Sequence, residues 1–336
     1  LFKMMREILT ESKLEDEKRL KEILSMLKSR LQMSFLSSGH TTAALRALSY
    51  SSPLSKFKDD TDGIGYYEAV KEIEEHFEEK KEELIVNLKE LAARIFRADN
   101  LMISYTAAPE GLDAVEKEME TFKNGLFERT DGDEQENRCI LHCVKRNEGF
   151  KTSSKVQYVA RTGNFIDGGA AYSGALHILK VILSYDYLWQ NIRVKGGAYG
   201  CMCNFNRIGE GYLISYRDPN LEKTIDVYEK VTEYLRNFEA DDRDMNKYII
   251  GTISNIDRPM NPSAKGTRSM NLYMNHVTEE MIRKEREEIL NAGQEEIRAL
   301  ADVVAAMLAA DQLCVIGSEE KIEEQKALFG EVRTLF

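Results

Sequence analysis

The 336-residue sequence predicts an α+β protein made of two related units, the first of them truncated. Three observations carry this. Residues 1–98 show helical periodicity almost throughout. After the polar, acidic stretch FKNGLFERTDGDEQEN (122–137) the pattern changes to mixed strand and helix. A strand, a small-polar turn and an acidic helix also occur twice, as LMISYTAAPEGLDAVEKEMETF and as LCVIGS followed by EEKIEEQKALFGEV. Each copy follows a long helical run, and SGHTTAALRALSY and PSAKGTRSMNLYM occupy corresponding upstream places, which is the mark of an internal duplication. The first copy lacks its front half. Residues 1–125 are therefore expected to form part of a truncated domain, 126–137 a linker, and 138–336 a complete domain.

The elements follow in order. EDEKRLKEILSMLKSRLQMSFL (15–36) sets Leu20, Ile23, Leu24, Leu27 and Leu31 on one helical face. YEAVKEIEEHFEEKKEELIVNLKELAARIF (67–96) repeats the pattern, and the stretch between them has a helical middle with turn-rich flanks. LMISYTA (101–107) reads as a strand and 109–122 as a helix. CILHCV and KVQYVAR (155–161) read as strands, and SGALHILKVILSYDYLWQNI (173–192) as a helix with a broad apolar face. AYGCMCNFN and GYLISYR alternate around RIGEG, a hairpin signal. PNLEKTIDVYEKVTEYLRNF (219–238) is a helix with Pro in its first turn and Asp218 as N-cap candidate.

Composition narrows the function. A net charge of −11 disfavours a nucleic-acid partner, whose phosphates require a basic surface. The longest apolar-rich run, 175–189, contains His177, Lys180 and Asp186 and is too short and too charged to span a bilayer. Five cysteines without zinc-site spacing point to a cytoplasmic or other reducing compartment, an organellar matrix included, and to core thiols in strands. The chain begins at Leu1 with a charged helix pattern and reads like a cut from something longer.

Most motif-like stretches carry no specific chemistry. The histidines form no H-x-x-E-H or H-E-x-x-H pair; in HFEEK, Lys80 stands where the second histidine belongs. RTGNFIDGGAAYSG fails the phosphate-loop patterns and reads as a connecting loop. DDTDGIGYYE breaks the calcium-loop register at Lys71 and reads as a solvated loop. NIRVKGGAYG (191–200) is more informative. Arg193 and Lys195 fall in a last helical turn where cations complement the dipole, and Gly196 or Gly197 fits a left-handed C-cap. The same residues also fit a binding site, with glycines admitting a ligand and Arg193 and Tyr199 supplying donors.

YDYLWQNIRVKGGAYG and SYRDPNLEKTIDVYEKV, with SSGHTTAALRALSYSSPLS and YVARTGNF, resemble the C-terminal half of the pitrilysin/insulinase zinc metallopeptidases, presequence protease branch. The resemblance covers essentially the whole chain. It implies third (truncated) and fourth domains of a four-domain enzyme, each an α+β unit of the LuxS/mitochondrial-processing-peptidase-like type with a largely antiparallel sheet covered by helices. The zinc motif belongs to the N-terminal half, which this chain lacks, so the chain alone is expected to bind no metal and cleave nothing. The implied partners are that zinc-bearing half, in the same chain or a separate subunit, and an unstructured peptide. Arg193 and Tyr199 map onto the arginine and tyrosine that reach the substrate carbonyl. From the residues themselves, Gly196 and Gly197 would allow close approach of a peptide and AYGCMCNFN could offer it a sheet edge. A non-catalytic scaffold, like relatives in respiratory complexes, is the competing expectation.

Overall fold

The computed structural model describes residues 1–129 and 140–336. The chain divides into two units, one of Leu1–Ser29, Glu68–Ile140 and Pro259–Thr278, the other of Arg30–Tyr67, Leu141–Arg258 and Glu279–Phe336.

In the first unit every regular element is helical among the described residues. It holds α1 (Phe2–Thr10), the start of α2 (Glu17–Leu48), most of α4 (Ile64–Glu75), α5 (Phe77–Ile95), α6 (Leu112–Lys123) and α11 (Pro262–Met274). Its small core gathers Met119, Phe122 and Leu126 against Phe2, Leu9 and Leu101. LMISYTA is not a strand: 101–106 is extended but pairs with no ladder among the described residues. Its β-favouring composition cannot act without a neighbouring strand, and it packs instead beside α11, where a Cβ on Gly266 would lie 1.9 Å from Thr106.

The second unit contains the sheet, six strands in the order β3-β4-β2-β5-β1-β6. The strands are β1 (Glu148–Thr152), β2 (Tyr158–Asn164), β3 (Gly200–Phe205), β4 (Glu210–Tyr216), β5 (Gln312–Ser318) and β6 (Glu331–Thr334). β3, β4, β2 and β5 pair antiparallel, while β1 lies parallel to both β5 and β6. This is the expected α+β arrangement, a mixed sheet covered by helices. On one face Val159, Cys203, Leu213 and Val315 pack against α7 (Ala175–Ile182), α9 (Val231–Arg236) and α13 (Gln294–Ala309). On the other, Phe150, Tyr158, Ala160 and Ile316 meet Phe35, Ala43, Ala47 and Tyr67. The same unit holds α10 (Asp242–Ile256), α12 (Glu279–Leu290) and α14 (Glu319–Glu324).

Helix and sheet approach closely at chosen glycines. A Cβ on Gly163 would lie 2.0 Å from the Met307 carbonyl oxygen, so α13 rests on the bare β2 backbone. Arg161 of the same strand is buried but satisfied, donating to Glu229 at 2.8 Å, Asp311 at 2.9 Å and the Leu308 carbonyl at 3.3 Å. YVARTGNF is thus a packing motif.

Several local expectations are corrected. CILHCV is no strand over 140–144, and Cys139 lies outside the described residues. Cys201, Cys203 and Cys314 are buried strand thiols as expected, whereas Cys143 is only half-buried. SSGH is not a helix-ending turn: α2 passes through it with one non-helical residue, Ser38. The ring of Tyr158 occupies the space a Cβ of Gly39 would need, and its hydroxyl donates to the Leu36 carbonyl at 2.7 Å. DDTDGIGYYE is not a solvated loop either. α3 (Pro53–Asp62) and α4 meet at Gly63, and Asp59 is fully buried beneath them, accepting from Arg46 at 2.6 Å. The predicted helix 219–238 begins later and breaks, as α8 (Glu222–Glu229) and α9, and Asp218 is not its cap.

Candidate functional site

α7 begins as an ordinary buried helix, with Leu176, Ile178, Leu179 and Ile182 facing the core. The backbone then widens into π-helical stretches over Leu183–Tyr187 and Trp189–Val194. The Lys195 amide donates to the Gln190 carbonyl at 3.0 Å, five residues back, as this geometry requires. Leu183, Leu188 and Ile192 remain buried, so the widened segment keeps its apolar anchor.

Gly197 ends the helix with φ +82°, the left-handed conformation glycine adopts without strain. Its amide donates to the Arg193 carbonyl at 2.9 Å, and the Ala198 amide reaches the Ile192 carbonyl at 3.1 Å. Gly196 is needed for space: a Cβ there would lie 2.5 Å from the Ile192 oxygen. The helix stop foreseen in NIRVKGGAYG is present, and Gly197 is its left-handed residue.

Across that stop Arg193 and Tyr199 come together. The Arg193 guanidinium lies 4.1 Å from the Trp189 ring centre and 5.7 Å from that of Tyr199. Tyr199 is 64% exposed and meets Tyr216 edge-on at 5.6 Å. Tyr216 in turn contacts His40 at 4.7 Å and Tyr158 at 5.7 Å. A ladder of rings and cations therefore runs from the end of the π-helix to the kink of α2.

SYRDPN supplies the other wall. The Tyr199 amide points at two carbonyls, Tyr216 at 3.0 Å and Arg217 at 3.3 Å, a bulge-like arrangement that takes Arg217 to φ +49°. Asp218 is fully buried and exchanges backbone hydrogen bonds with Gln157 at 2.7 and 2.9 Å. Its carboxylate accepts from the Asn220 amide at 2.9 Å and the Thr224 hydroxyl at 2.6 Å. Burial pushes the Asp218 carboxyl above its ordinary value, against the pull of those hydrogen bonds. The Asn220 side-chain amide then donates to the Gly196 carbonyl at 2.6 Å, and Pro219 lies beneath Gly197. Two motifs that are separate in sequence are one clasp in space.

Other candidates stay apart from chemistry. His177 is a boundary residue, its ring nitrogen 3.2 Å from the Tyr172 hydroxyl, and burial lowers its pKa. Cys201 lies near Arg193, yet burial outweighs that charge and pushes the thiol up to about 11, which leaves it protonated. Among the described residues no group of three or more His, Cys, Asp or Glu is placed to hold a metal ion. Among them, too, no helix is long and apolar enough to cross a membrane. Among the described residues β3 has a neighbour on one side only, so Gly200–Phe205 is an edge of the sheet.

The structure brings Arg193, Tyr199 and the two glycines of one stretch together with Trp189, Tyr216, Arg217 and His40, which the sequence did not single out. SYRDP is conspicuous as a string. Its pairing with the glycine stop is not legible, because the Asn220 side-chain hydrogen bond to Gly196 and the backbone bonds of Tyr199 join segments that only folding brings together.

Comparison with known proteins identifies the family. The family model described as PreP C-terminal domain matches residues 147–319, and a second, described as peptidase-associated, matches 1–73. Protein HypA of Clostridium perfringens is 39% identical over 99% of this chain and 34% of its own length. Presequence protease 1, chloroplastic/mitochondrial, of Arabidopsis thaliana is 30% identical over 99% of this chain and 31% of its own. The chain thus spans about a third of the length of the curated relatives it matches. Among solved structures, the periplasmic protease PqqL from Escherichia coli aligns over 89% of this chain and 33% of that one, at 13% identity and a TM-score of 0.47. With a model matching more than half of its residues, the chain belongs to the PreP C-terminal domain family.

Proposed function

We propose that this chain supplies the substrate-contacting C-terminal half of a presequence-protease-like metalloendopeptidase. In this reading it binds an unstructured peptide and completes a site whose zinc is held by a partnering N-terminal half. The observation that carries it is the convergence of Arg193 and Tyr199 on a helix stop clasped by Asn220.

Each residue has a task that its surroundings support. Arg193, held flat by Trp189, donates to a carbonyl of the bound peptide. Tyr199 presents an exposed phenol whose O–H donates to the carbonyl oxygen that gains charge during cleavage. Gly196 and Gly197 leave the loop between them without side chains, so a peptide backbone can lie close. The free edge of β3 gives the same peptide a strand to pair with. Groups already locked in geometry lose little entropy when the substrate is aligned.

The test is to mix the purified chain with the zinc-bearing half of a relative and assay cleavage of an unstructured peptide. Cleavage by the mixture, lost with Tyr199→Phe or Arg193→Gln while the halves still associate, supports the reading. Association with no dependence on either residue would favour a scaffold. Tight stoichiometric zinc on this chain alone would overturn the assignment of the metal to the other half.

A further inference from the structure

Two cations stand on the rings of this site, and the peptide reading uses only one of them. Arg193 approaches the Tyr199 ring at 5.7 Å. Arg217 lies 5.4 Å from the ring centre of Tyr216, which itself sits 5.6 Å from Tyr199. In a chain of net charge −11, neither guanidinium has an ion pair with a carboxylate among the described residues. The nearest acid in sequence, Asp218, is fully buried and committed to Asn220 and Thr224.

The backbone at Arg217 sharpens the point. Its φ of +49° is a conformation that glycine or asparagine adopts far more readily than arginine. If the bulge had only to turn the chain, a small residue would serve without strain. Strained non-glycine positions cluster where the side chain is used. Here the bulge holds an exposed guanidinium 5.4 Å from the centre of the Tyr216 ring, the ring that Tyr199 meets edge-on. The Tyr158 hydroxyl, which donates to the Leu36 carbonyl, braces the same ring, so the platform under Arg217 is fixed to α2. The Arg217 side chain also reaches the Tyr158 hydroxyl, but a guanidinium carries more N–H donors than that contact uses, and the acceptor that matches them is a carboxylate.

We propose that Arg217 is a second arm of this site, which takes a carboxylate of the bound peptide, so that the site selects peptides carrying one beside the segment held by Arg193 and Tyr199. The chemistry is the same whether the carboxylate is the peptide's C-terminus or an Asp or Glu side chain. This rests on the peptide-binding reading above and adds a specificity to it.

The experiment is a binding titration of this chain with four dansyl-labelled Gly/Ser/Ala/Tyr peptides. One pair differs only in a free C-terminal carboxylate against an amide, the other only in a central Glu against Gln. Wild type is expected to prefer the carboxylate member of at least one pair by about tenfold, and the pair that shows it identifies the source. Arg217→Asn, and Arg217→Gly should the first variant not fold, should abolish that preference while leaving affinity for the neutral peptides unchanged and the Tm no lower than that of wild type. Arg193→Gln should weaken all four. A preference that survives Arg217→Asn, or binding by wild type with no preference in either pair, overturns this proposal and leaves the peptide reading standing. Failure of wild type to bind any of the four, with the zinc-bearing half present, overturns both.

Discussion

The Arg193 guanidinium sits 4.1 Å from the centre of the Trp189 ring, four residues back along a π-helical backbone. The indole is the platform on which the arginine is held. Trp189→Ala should weaken peptide binding by roughly 0.5–2 kcal/mol, the range of a cation–π contact, and Trp189→Phe should recover part of it. Because Trp189 is half-buried, its truncation will also lower the Tm. A double-mutant cycle with Arg193→Gln separates the effects, since a shared mechanism gives non-additive losses in affinity.

Tyr199→Phe removes one hydroxyl from an exposed ring and leaves the stack on Tyr216 intact. In the reconstituted peptidase it should lower kcat more than it raises KM, by about 2.7–4 kcal/mol in the barrier if the phenol acts as an oxyanion donor. Unchanged steady-state kinetics would take Tyr199 out of the mechanism.

Arg46 is buried among acids. It donates to Asp59 at 2.6 Å and to both oxygens of Glu148 at 2.6 and 2.9 Å, and Arg333 and Tyr50 also reach Glu148 at 2.7 and 2.9 Å. Arg46→Ala leaves those carboxylates without their main partner and should destabilise the chain by about 3–5 kcal/mol in denaturant unfolding. Replacing an exposed arginine such as Arg19 should change little.

The same network sets an acid limit. Burial alone pushes the Glu148 carboxyl up, but the hydrogen bonds and charge of Arg46, with Arg333 and Tyr50, outweigh it and hold the group below its ordinary value. A depressed folded-state pKa means stability that is fully present above the unfolded value, ~4.3 for glutamate, and lost as pH falls through the lower folded one. Glu148→Gln should therefore lower the Tm at neutral pH and flatten its fall on acidification. Parallel curves for variant and wild type would show that Glu148 does not contribute to the acid limb.

Gly197→Ala and Gly196→Ala should differ in kind. At Gly197 a Cβ has room, 3.6 Å from Pro219, so the cost is the left-handed backbone, about 1–2 kcal/mol. At Gly196 the Cβ meets a backbone oxygen at 2.5 Å, and the helix end must move. Only Gly196→Ala is expected to disturb Arg193, and hence peptide affinity, beyond its effect on Tm. Equal ratios of affinity loss to Tm loss in the two variants would contradict this.

Much of the architecture is legible locally. The apolar face of α7, the alternation in β3 and β4 and the glycine stop are periodicities and turn preferences that each segment carries in itself. LMISYTA and CILHCV show where that ends. Their composition favours strands, but a strand exists only where another strand offers its backbone. DDTDGIGYYE failed for a different reason, because acidic residues usually seek solvent and Asp59 is buried against Arg46, 13 positions earlier, with the Ile64 and Gly65 amides as further donors.

For the site the division is sharper. The sequence by itself determined the helix stop, the placing of Arg193 and Tyr199 on either side of it, the family resemblance, and the lack of any self-contained metal motif. Tertiary structure decided what holds them. Trp189 became a platform through a π-helical widening, and SYRDPN became a clasp through Asn220. Tyr216 met His40 and Tyr158 because the sheet and the kinked α2 bring distant segments to one place. Periodicity reports which way a side chain points within its own element, whereas these contacts depend on how elements pack, which no single segment encodes.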